Sequence, residues 1–483
     1  MKTIFKLITA ALAATAFLAS CTRELVVENA NPESPAEGLR TISVSFDTPT
    51  RTYLDSLKPH FCAGDSVLLS TGSELDTCEV VTREGRAFIV TELEGNLTAV
   101  YPYKAAEMDS DNPDLIVGVN IPKVQTGRFA DANICTAQIH FGENRARFEN
   151  QVSILRFYAD RSIDVDSIKI ISPFPITGEF STVSLDKKSL GDAPIEEELT
   201  DTILVAPVEN KETVVYPGED PRIWYVAVKG VKQEAGPIEF LTKSADPRPS
   251  VLFKSYTQSQ GDVTKETLFP SEGFVVNKIY NAFIPYYVEV QVGGTEEEPV
   301  KQKWAYCNVG AFLPEEPGFY FTWGSDEGYD PKRESERYFT DEAYYKFSTS
   351  ASKTEDFPEF DPARGWGYKW RTPNPEELEA LFGSSSVEFS SNTKGIHVAQ
   401  GLLFPYTGIF DEKGWGDKTK GYYWSNYCVD DKKAKAEVLT ESGHSIQEVE
   451  RYKGCTIRPI FDFQQVHDVP LEPINKYIDG GDL

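Results

Sequence analysis

Short runs in which apolar and polar residues alternate dominate the chain between residues 39 and 292. Ile42, Val44 and Phe46 alternate with polar neighbours, as do Val288 and Val290. Successive side chains of a strand point to opposite faces of a sheet, so this spacing predicts β-strands. Residues 223–228 form an almost continuous apolar run, also typical of a strand. Helical periodicity is scarce, so this region is predicted to be mainly β.

Turn-forming residues separate these runs, as at Gly64-Asp65 and Gly85. Alternating strands with turns at such spacing favour antiparallel β-sandwiches. The region holds about 250 residues, which is enough for two sandwich subdomains. We place the first at 39–195 and the second at 196–292, divided near a glycine, a proline and an acidic run.

Tryptophan marks a change in composition near residue 300. Only Trp224 precedes that point, and the other six follow it. The sequence Gly-Gly-Thr-Glu-Glu-Glu-Pro lies at the change, and such a charged, glycine-rich stretch is typical of a flexible linker. We therefore predict a linker at 293–300, a third domain at 301–463 and a tail at 464–483.

The third domain contains one clear helix signal. Asn374 can cap a helix that Pro375 begins, Glu377 completes a capping box, and Gly383 closes the C-terminal end. Leu378 and the apolar pair 381–382 would then form its buried stripe. The domain is predicted to be α+β.

The N-terminus resembles the leader of a bacterial lipoprotein. Two lysines precede an apolar stretch, residues 8–18, that is too short to span a bilayer as a stable helix. Small residues then lead into Cys21, where such leaders are cut and lipidated. We predict a signal peptide at 1–20, a lipid on Cys21 and a flexible spacer at 21–38. An ordinary secretory leader with a chance cysteine is the alternative.

Charge and motifs narrow the function classes. The formal net charge is −27, which repels nucleic acid and anionic lipid headgroups, so membrane attachment would come through the lipid. We find no zinc-binding, P-loop, dinucleotide or nucleophile-elbow motif, so neither a metal nor a cofactor is expected. A glycosidase carboxylate pair cannot be singled out among so many acids. The chain is predicted not to be an enzyme.

The six cysteines after Cys21 divide evenly between the two halves of the chain. Three per half cannot pair fully within each half. A disulfide between Cys307 and Cys455 is possible if the first and last strands of the third domain lie side by side. Buried free thiols are the alternative.

Ordered motifs between residues 40 and 290 resemble the fimbrillin family of lipoprotein pilins and related surface proteins. They include RTYLDSLKPHFCAGDSVLL, LTAVYPYKA, VNIPKVQTGRFADANICTAQ, FENQVSILRFYA and VNKIYNAFIPYY. The resemblance implies two β-sandwich domains that serve assembly and display. In that family, precursor pilins can lose an N-terminal segment at an arginine, which opens a groove for a neighbour's strand. Arg40 or Arg51 could be such a site, and a solvated arginine beside a first strand is the alternative.

Four motifs of the third domain resemble the FISUMP-type major paralogous domain, a relative of formylglycine-generating enzymes and of the C-type lectin fold. They are WAYCNVGAFLPEEPGFYFTWG, GYKWRTPNPEELEALFG, GYYWSN and GCTIRPI. The resemblance implies that residues 304–309 pair near residues 455–460, and that long loops bind ligands. The enzymes' closely spaced reactive cysteines are missing. So are the EPN and WND triplets of calcium-dependent lectins. An acidic loop at 326–330 could hold calcium, with a solvated loop as the alternative.

Aromatic residues in glycine-rich surroundings are the candidate ligand-binding residues. Trp366, Trp415, Tyr422 and Tyr423 could stack on sugar rings or anchor a protein partner, with burial in the core as the alternative. The sequence thus predicts an outer-membrane lipoprotein, at the cell surface or in a fimbrium, that acts as an adhesin or tip-like pilus subunit. Its partners would be pilus subunits and a host or microbial glycan or protein. A glycan-binding lipoprotein for nutrient capture is the alternative.

Overall fold

The computed structural model describes most of the chain from residue 39 to residue 462. The described residues are 39–46, 60–158, 163, 165–172, 174, 176–181, 202–205, 220, 222–230, 250–257, 259–270, 273–331, 360–367, 369–384, 387–388, 395–398, 402–411 and 413–462. The predicted signal peptide, Cys21, spacer and tail lie outside them.

The described strands and helices follow one another along the chain with few helical residues. The strands up to residue 150 are β1 (Arg40–Phe46), β2 (Ser66–Ser70), β3 (Leu75–Glu79), β4 (Val81–Arg83), β5 (Arg86–Thr91), β6 (Leu97–Tyr101), β7 (Ala106–Met108), β8 (Ile116–Ile121), β9 (Val124–Gln125), β10 (Cys135–Ile139) and β11 (Arg145–Asn150). The next are β12 (Val152–Tyr158), β13 (Val165–Ile171), β14 (Gly178–Ser181), β15 (Thr202–Val205), β16 (Ile223–Lys229), β17 (Ser250–Thr257), β18 (Gly261–Leu268), β19 (Ile279–Ala282), β20 (Tyr287–Gly294) and β21 (Pro299–Ala305). The last are β22 (Trp370–Arg371), β23 (Val387–Glu388), β24 (Gly395–Val398), β25 (Leu402–Pro405), β26 (Ile409–Asp411), β27 (Gly414–Gly416), β28 (Gly421–Cys428), β29 (Lys433–Thr440), β30 (Gly443–Glu450) and β31 (Ile460–Phe461). The helices are α1 (Phe129–Ala132) and α2 (Pro375–Phe382), with 3-10 turns at Tyr103–Ala105 and Pro362–Trp366.

The chain forms two compact units. The first takes the described residues of 1–120, 133–151 and 179–184, and the second takes those of 121–132, 152–178 and 185–483. The predicted mainly β fold class is confirmed, since strands make up most of the regular structure of both units. Parallel pairs such as β1–β11 and β12–β19 make the sheets mixed rather than purely antiparallel.

A sheet of eight strands, in the order β3-β2-β6-β10-β11-β1-β5-β4, forms most of the first unit. β1 lies inside this sheet, parallel to β11 and antiparallel to β5. Its alternating pattern is confirmed, because Ile42 and Val44 are buried in the core while their neighbours are more exposed. Phe61, Tyr101 and Phe148 pack into the same core.

The second unit begins earlier in the sequence than the predicted boundary at 195/196. β12 pairs over its length with β16 and, on its other side, with β19. β13 joins β17 and β15 in a second sheet of this unit. These partners lie about 40 to 130 residues further along the chain, so local alternation could not show them. The domain limits given above stay predictions.

Residues 293–300 belong to a β-hairpin, where the sequence predicted a flexible linker. β20 and β21 pair from Tyr287 with Ala305 out to Gly294 with Pro299. Gly294 has a φ of +80°, and a Cβ there would lie 2.2 Å from the Glu298 carbonyl oxygen, so this turn requires glycine. Glycine and charged residues suit a hairpin end as well as a linker, which explains the mistaken prediction.

The predicted helix is confirmed as α2. The side chain of Asn374 accepts a hydrogen bond from the Glu377 amide, and the Glu377 carboxylate accepts one from the Asn374 amide, which completes the capping box. Leu378, Leu381 and Phe382 are buried, as the spacing predicts.

Candidate functional site

The first and last strands of the C-terminal part of the second unit lie side by side, as the resemblance implies. Trp304 of β21 pairs with Ile460 of β31, and the Ala305 amide donates to the Pro459 carbonyl at 2.9 Å. Arg458 is fully buried beside this pairing and donates to the carbonyl of Ala305 at the end of β21 and to that of Leu403 in β25. This arrangement gives the loops of residues 402–421 a rigid base.

Trp366 lies in the core and not at the surface. Its side chain is 6% exposed, its ring centroid is 5.5 Å from that of Trp370, and it packs 4.4 Å from the ring of Phe283. The Lys265 ammonium of β18 donates to the Gly365 carbonyl at 2.6 Å and fixes the adjoining turn. A ligand cannot reach the Trp366 ring in this conformation.

Tyr423 is also buried. It is fully inside, and its hydroxyl donates to the Pro405 carbonyl at 2.6 Å. Burial raises the pKa of this phenol. Its neighbour Tyr422 points to the other face of β28, is half-buried, and donates from its hydroxyl to Asp417 at 3.2 Å. Of these two candidates, only Tyr422 is accessible.

Trp415 differs from the other six tryptophans in its exposure. It is 40% exposed, whereas each of the others is 6% exposed or less. It lies on the hairpin of β26 and β27, stacked on Phe410 with ring centroids 5.6 Å apart and 12° between the planes. Its indole nitrogen donates to the Thr407 carbonyl at 2.9 Å. The ring is therefore fixed from behind and open in front.

One charged side chain lies at the ring of Trp415, and an ion pair follows it on the same loop. The Lys418 ammonium lies 3.4 Å from the ring centroid. Lys420 forms an ion pair with Asp417 at 2.8 Å, and its hydrogen bond lowers the pKa of that carboxyl. The sequence pattern indicates Trp415 as a candidate but does not indicate a role for Lys418. The spacing Gly-Trp-Gly-Asp-Lys was a signal that a cation stands close to the ring.

Cys307 and Cys455 are buried free thiols in the structure, and no disulfide joins them. Burial raises the pKa of each thiol. The Cys307 thiol contacts the Phe312 carbonyl at 3.6 Å instead of a second sulfur. Adjacent strands bring these regions together, but strand proximity alone does not align two cysteine side chains for a bond.

Two further features concern metal-binding clusters and helices long enough to span a membrane. In the part of the chain that the structure describes, no group of three or more His, Cys, Asp and Glu side chains is arranged to hold a metal ion. Asp326, Glu327 and Asp330 lie within that part. Among the described helices, none combines the length and the apolar character needed to cross a membrane.

Comparison with known proteins yields structural neighbours only. No family model and no curated protein matches the chain. One similar solved structure is a proposed cell adhesion protein from Bacteroides ovatus, with 13% identity, 55% of this chain and 95% of its own covered, and a TM-score of 0.29. Another is the tip fimbrial protein Mfa3 from Porphyromonas gingivalis, with 9% identity, coverages of 55% and 97%, and a TM-score of 0.24. A fimbrial protein from Bacteroides ovatus has 11% identity, coverages of 84% and 95%, and a TM-score of 0.24. These identities and scores are too low to assign the chain to a family.

Proposed function

We propose that this chain reaches the surface of the bacterial cell envelope as a lipid-anchored precursor and takes part in fimbrial assembly or adhesion. Cys21 would carry the lipid, the first unit would join another subunit through a strand, and the C-terminal part of the second unit would recognise a ligand. The observation that carries this proposal is the position of β1 inside the sheet of the first unit.

β1 is the first strand in the described sequence, yet it fills a gap between two strands that do not pair with each other. Ser43 to Phe46 pair with Arg145 to Phe148 of β11, while Arg40 to Val44 pair with β5. Adjacent strands are about 4.8 Å apart, so loss of β1 would leave a gap of about 10 Å between two open edges. It would also expose the pockets of Ile42 and Val44. A strand from a second subunit would fill the same gap by strand addition.

The two candidate arginines differ in what cleavage would release. Arg40 lies within β1, and its guanidinium donates to the carbonyls of Gly95, His140 and Glu143 at 2.8 to 2.9 Å. Cleavage after Arg40 would leave most of β1 attached to the chain. Cleavage after Arg51 would separate all of β1 from the rest. Arg51 lies outside the described residues, and we propose it as the processing site.

Cell fractionation tests this proposal. Bacteria that produce the chain are sheared, and the released material is separated by size without boiling. Incorporation predicts high-molecular-weight species containing this chain, with an N-terminus at residue 52. R51A should abolish the new terminus and the large species, and R40K serves as the matched control. Finding the chain only as a monomer that still begins at Cys21 would contradict the assembly role.

Lipid attachment is tested separately by metabolic labelling with a fatty acid. Label should enter the wild-type precursor and R51A, which both keep residues 21–51, and should be absent from the processed chain that begins at residue 52. C21S should take up no label and should also leave the membrane fraction. Protease treatment of intact cells then shows whether the chain faces outward. Label in C21S would contradict attachment at this residue.

The second candidate function is a glycan-binding lipoprotein for nutrient capture. The exposed and fixed ring of Trp415 favours ligand recognition in either case. A chain that is surface-exposed, binds a glycan and never enters the sheared high-molecular-weight material would support this second candidate over the first.

A further inference from the structure

The hairpin of β26 and β27 presents an aromatic surface that is fixed before any ligand arrives. Phe410 stacks behind Trp415, and Tyr320 meets its edge with ring centroids 6.2 Å apart. Thr407 holds both Trp415 and Tyr422 in place. Its carbonyl accepts a hydrogen bond from the Trp415 indole, and its hydroxyl accepts one from the Tyr422 backbone amide at 3.0 Å. A ring that is held in place loses little freedom on binding.

The backbone beneath Trp415 is adapted to this ring. Gly408 has a φ of +70°, and a Cβ at that position would lie 2.6 Å from the indole nitrogen. Any other residue would therefore push the ring away from the Thr407 carbonyl. The glycine keeps the indole nitrogen directed inward, which leaves the opposite edge and one face of the ring toward solvent.

Lys418 supplies a positive charge at this face. Its ammonium is 3.4 Å from the ring centroid, and within the described residues it forms no ion pair. Two other lysines of this part of the chain are paired: Lys420 with Asp417 at 2.8 Å, and Lys453 with Glu450 at 3.0 Å. Lys418 is exposed, so its side chain can leave the ring at small cost and keep its charge within reach of a group bound there.

We propose that Trp415 and Lys418 bind an acidic saccharide, that is, a sugar ring carrying a carboxylate or a sulfate. The apolar face of the sugar stacks on the indole, and the Lys418 ammonium swings aside to pair with the anionic group. This inference rests on the recognition role proposed above and specifies its ligand class. An acidic ligand is required because any sugar stacked on the ring displaces the Lys418 ammonium. Only a sugar with an anionic group then gives that ammonium a new partner of opposite charge.

A glycan array probed with the full chain tests the ligand class. The array holds sialylated, uronate-containing and sulfated oligosaccharides beside their neutral parents, and the strongest acidic member is then titrated against its parent. We expect the acidic member to bind at least 10-fold more tightly, with an advantage that shrinks as salt is raised. Equal binding of the neutral parent, or no binding on the array, overturns the proposal.

Substitutions separate the stacking role of Trp415 from the charge-pairing role of Lys418. W415A should weaken binding of the acidic member at least 10-fold. K418A should weaken that binding about 5-fold while leaving the neutral parent unchanged or slightly tighter, since the ring face becomes free. K418R should restore the acidic preference. If K418A weakens binding of the acidic sugar and of its neutral parent equally, the Lys418 ammonium does not pair with the anionic group and the proposal fails.

The first unit offers a matched control. Lys104 stands 5.7 Å from the ring of Tyr103, which is 39% exposed. This pair has the same chemistry, and among the described residues no ring stacks behind Tyr103, so Y103A and K104A should leave binding unchanged. Saccharide binding is measured on purified protein and fimbrial incorporation on sheared cells. A chain that binds acidic sugars but never enters large species would refute the assembly role and leave this inference standing.

Discussion

Replacing Arg458 by methionine should destabilise the second unit strongly. The guanidinium is fully buried, and burial lowers its pKa. Its four hydrogen bonds run from Nε to Asn308 Oδ1 at 2.6 Å, from Nη1 to the carbonyls of Ala305 at 3.0 Å and Tyr306 at 2.6 Å, and from Nη2 to the carbonyl of Leu403 at 2.8 Å.

The magnitude follows from two opposing effects. Methionine replaces the apolar stem of arginine but ends near the position of Nε and has no donor, so three buried acceptors and one part-buried acceptor would each lose a partner, at a cost of about 1 to 3 kcal/mol apiece. Removing the charge also recovers several kcal/mol of desolvation. Because each of the four bonds has good geometry, we expect the first effect to dominate and R458M to lower the free energy of unfolding by about 3 to 5 kcal/mol.

Urea unfolding followed by tryptophan fluorescence measures this loss. All seven tryptophans belong to the second unit, so the signal reports that unit alone. Lys432, an exposed basic residue of the same unit, provides the control K432M, which should change the free energy by less than about 0.5 kcal/mol. A loss below about 1 kcal/mol for R458M would refute the reasoning, because it would mean that desolvation of the guanidinium cancels its hydrogen bonds.

Three further predictions use other buried polar groups. Q125A should lower the free energy of unfolding by about 2 kcal/mol in the same assay. The side chain of Gln125 donates to the Ala227 carbonyl of β16 and accepts from the Ala227 backbone N–H, both at 2.8 Å, and alanine would remove both hydrogen bonds. An unchanged unfolding midpoint would contradict this prediction. Burial raises the pKa of Glu437 from 4.5 to about 8, so the folded state keeps a proton that the unfolded state releases, and stability should fall as pH rises from about 4.5 to 8. E437Q should remove that slope and be the more stable form above pH 8, and parallel pH profiles would refute the assignment. A thiol reagent should modify half-buried Cys62 in the native protein but reach Cys307 and Cys455 only after unfolding, and a 307–455 disulfide peptide in a nonreducing digest would contradict the free thiols.

Local features of the sequence predicted the local structures well. The capping box at residues 374–377 depends on neighbours three positions apart, so sequence and structure agree on α2. The alternation in β1 likewise depends on the strand alone. The motif that contains Gln125 does not by itself explain why a glutamine stands there. The structure supplies the reason, because the glutamine side chain completes the hydrogen bonds of a distant strand at Ala227.

Candidate ligand residues were harder to separate, because aromatic residues beside glycine occur both in cores and at surfaces. Trp366 and Trp415 have glycine on both sides and looked alike in the sequence. Trp366 packs against Phe283, which lies more than 80 residues away in the chain, whereas Trp415 keeps 40% of its surface exposed. Burial depends on such distant partners, and no local pattern contains them.

The sequence by itself determined the mainly β fold class, the one capped helix, the acidic surface and the expectation of a lipidated leader at Cys21, because each depends on composition or on residues close together in the chain. Only the tertiary structure decided that β1 lies between β11 and β5, that residues 293–300 turn a hairpin, and that Trp415 alone among the tryptophans is open. Strand pairing and burial join residues that are tens to more than a hundred positions apart. Those contacts exist only when the whole chain has folded, which is why the candidate binding surface had to come from the structure.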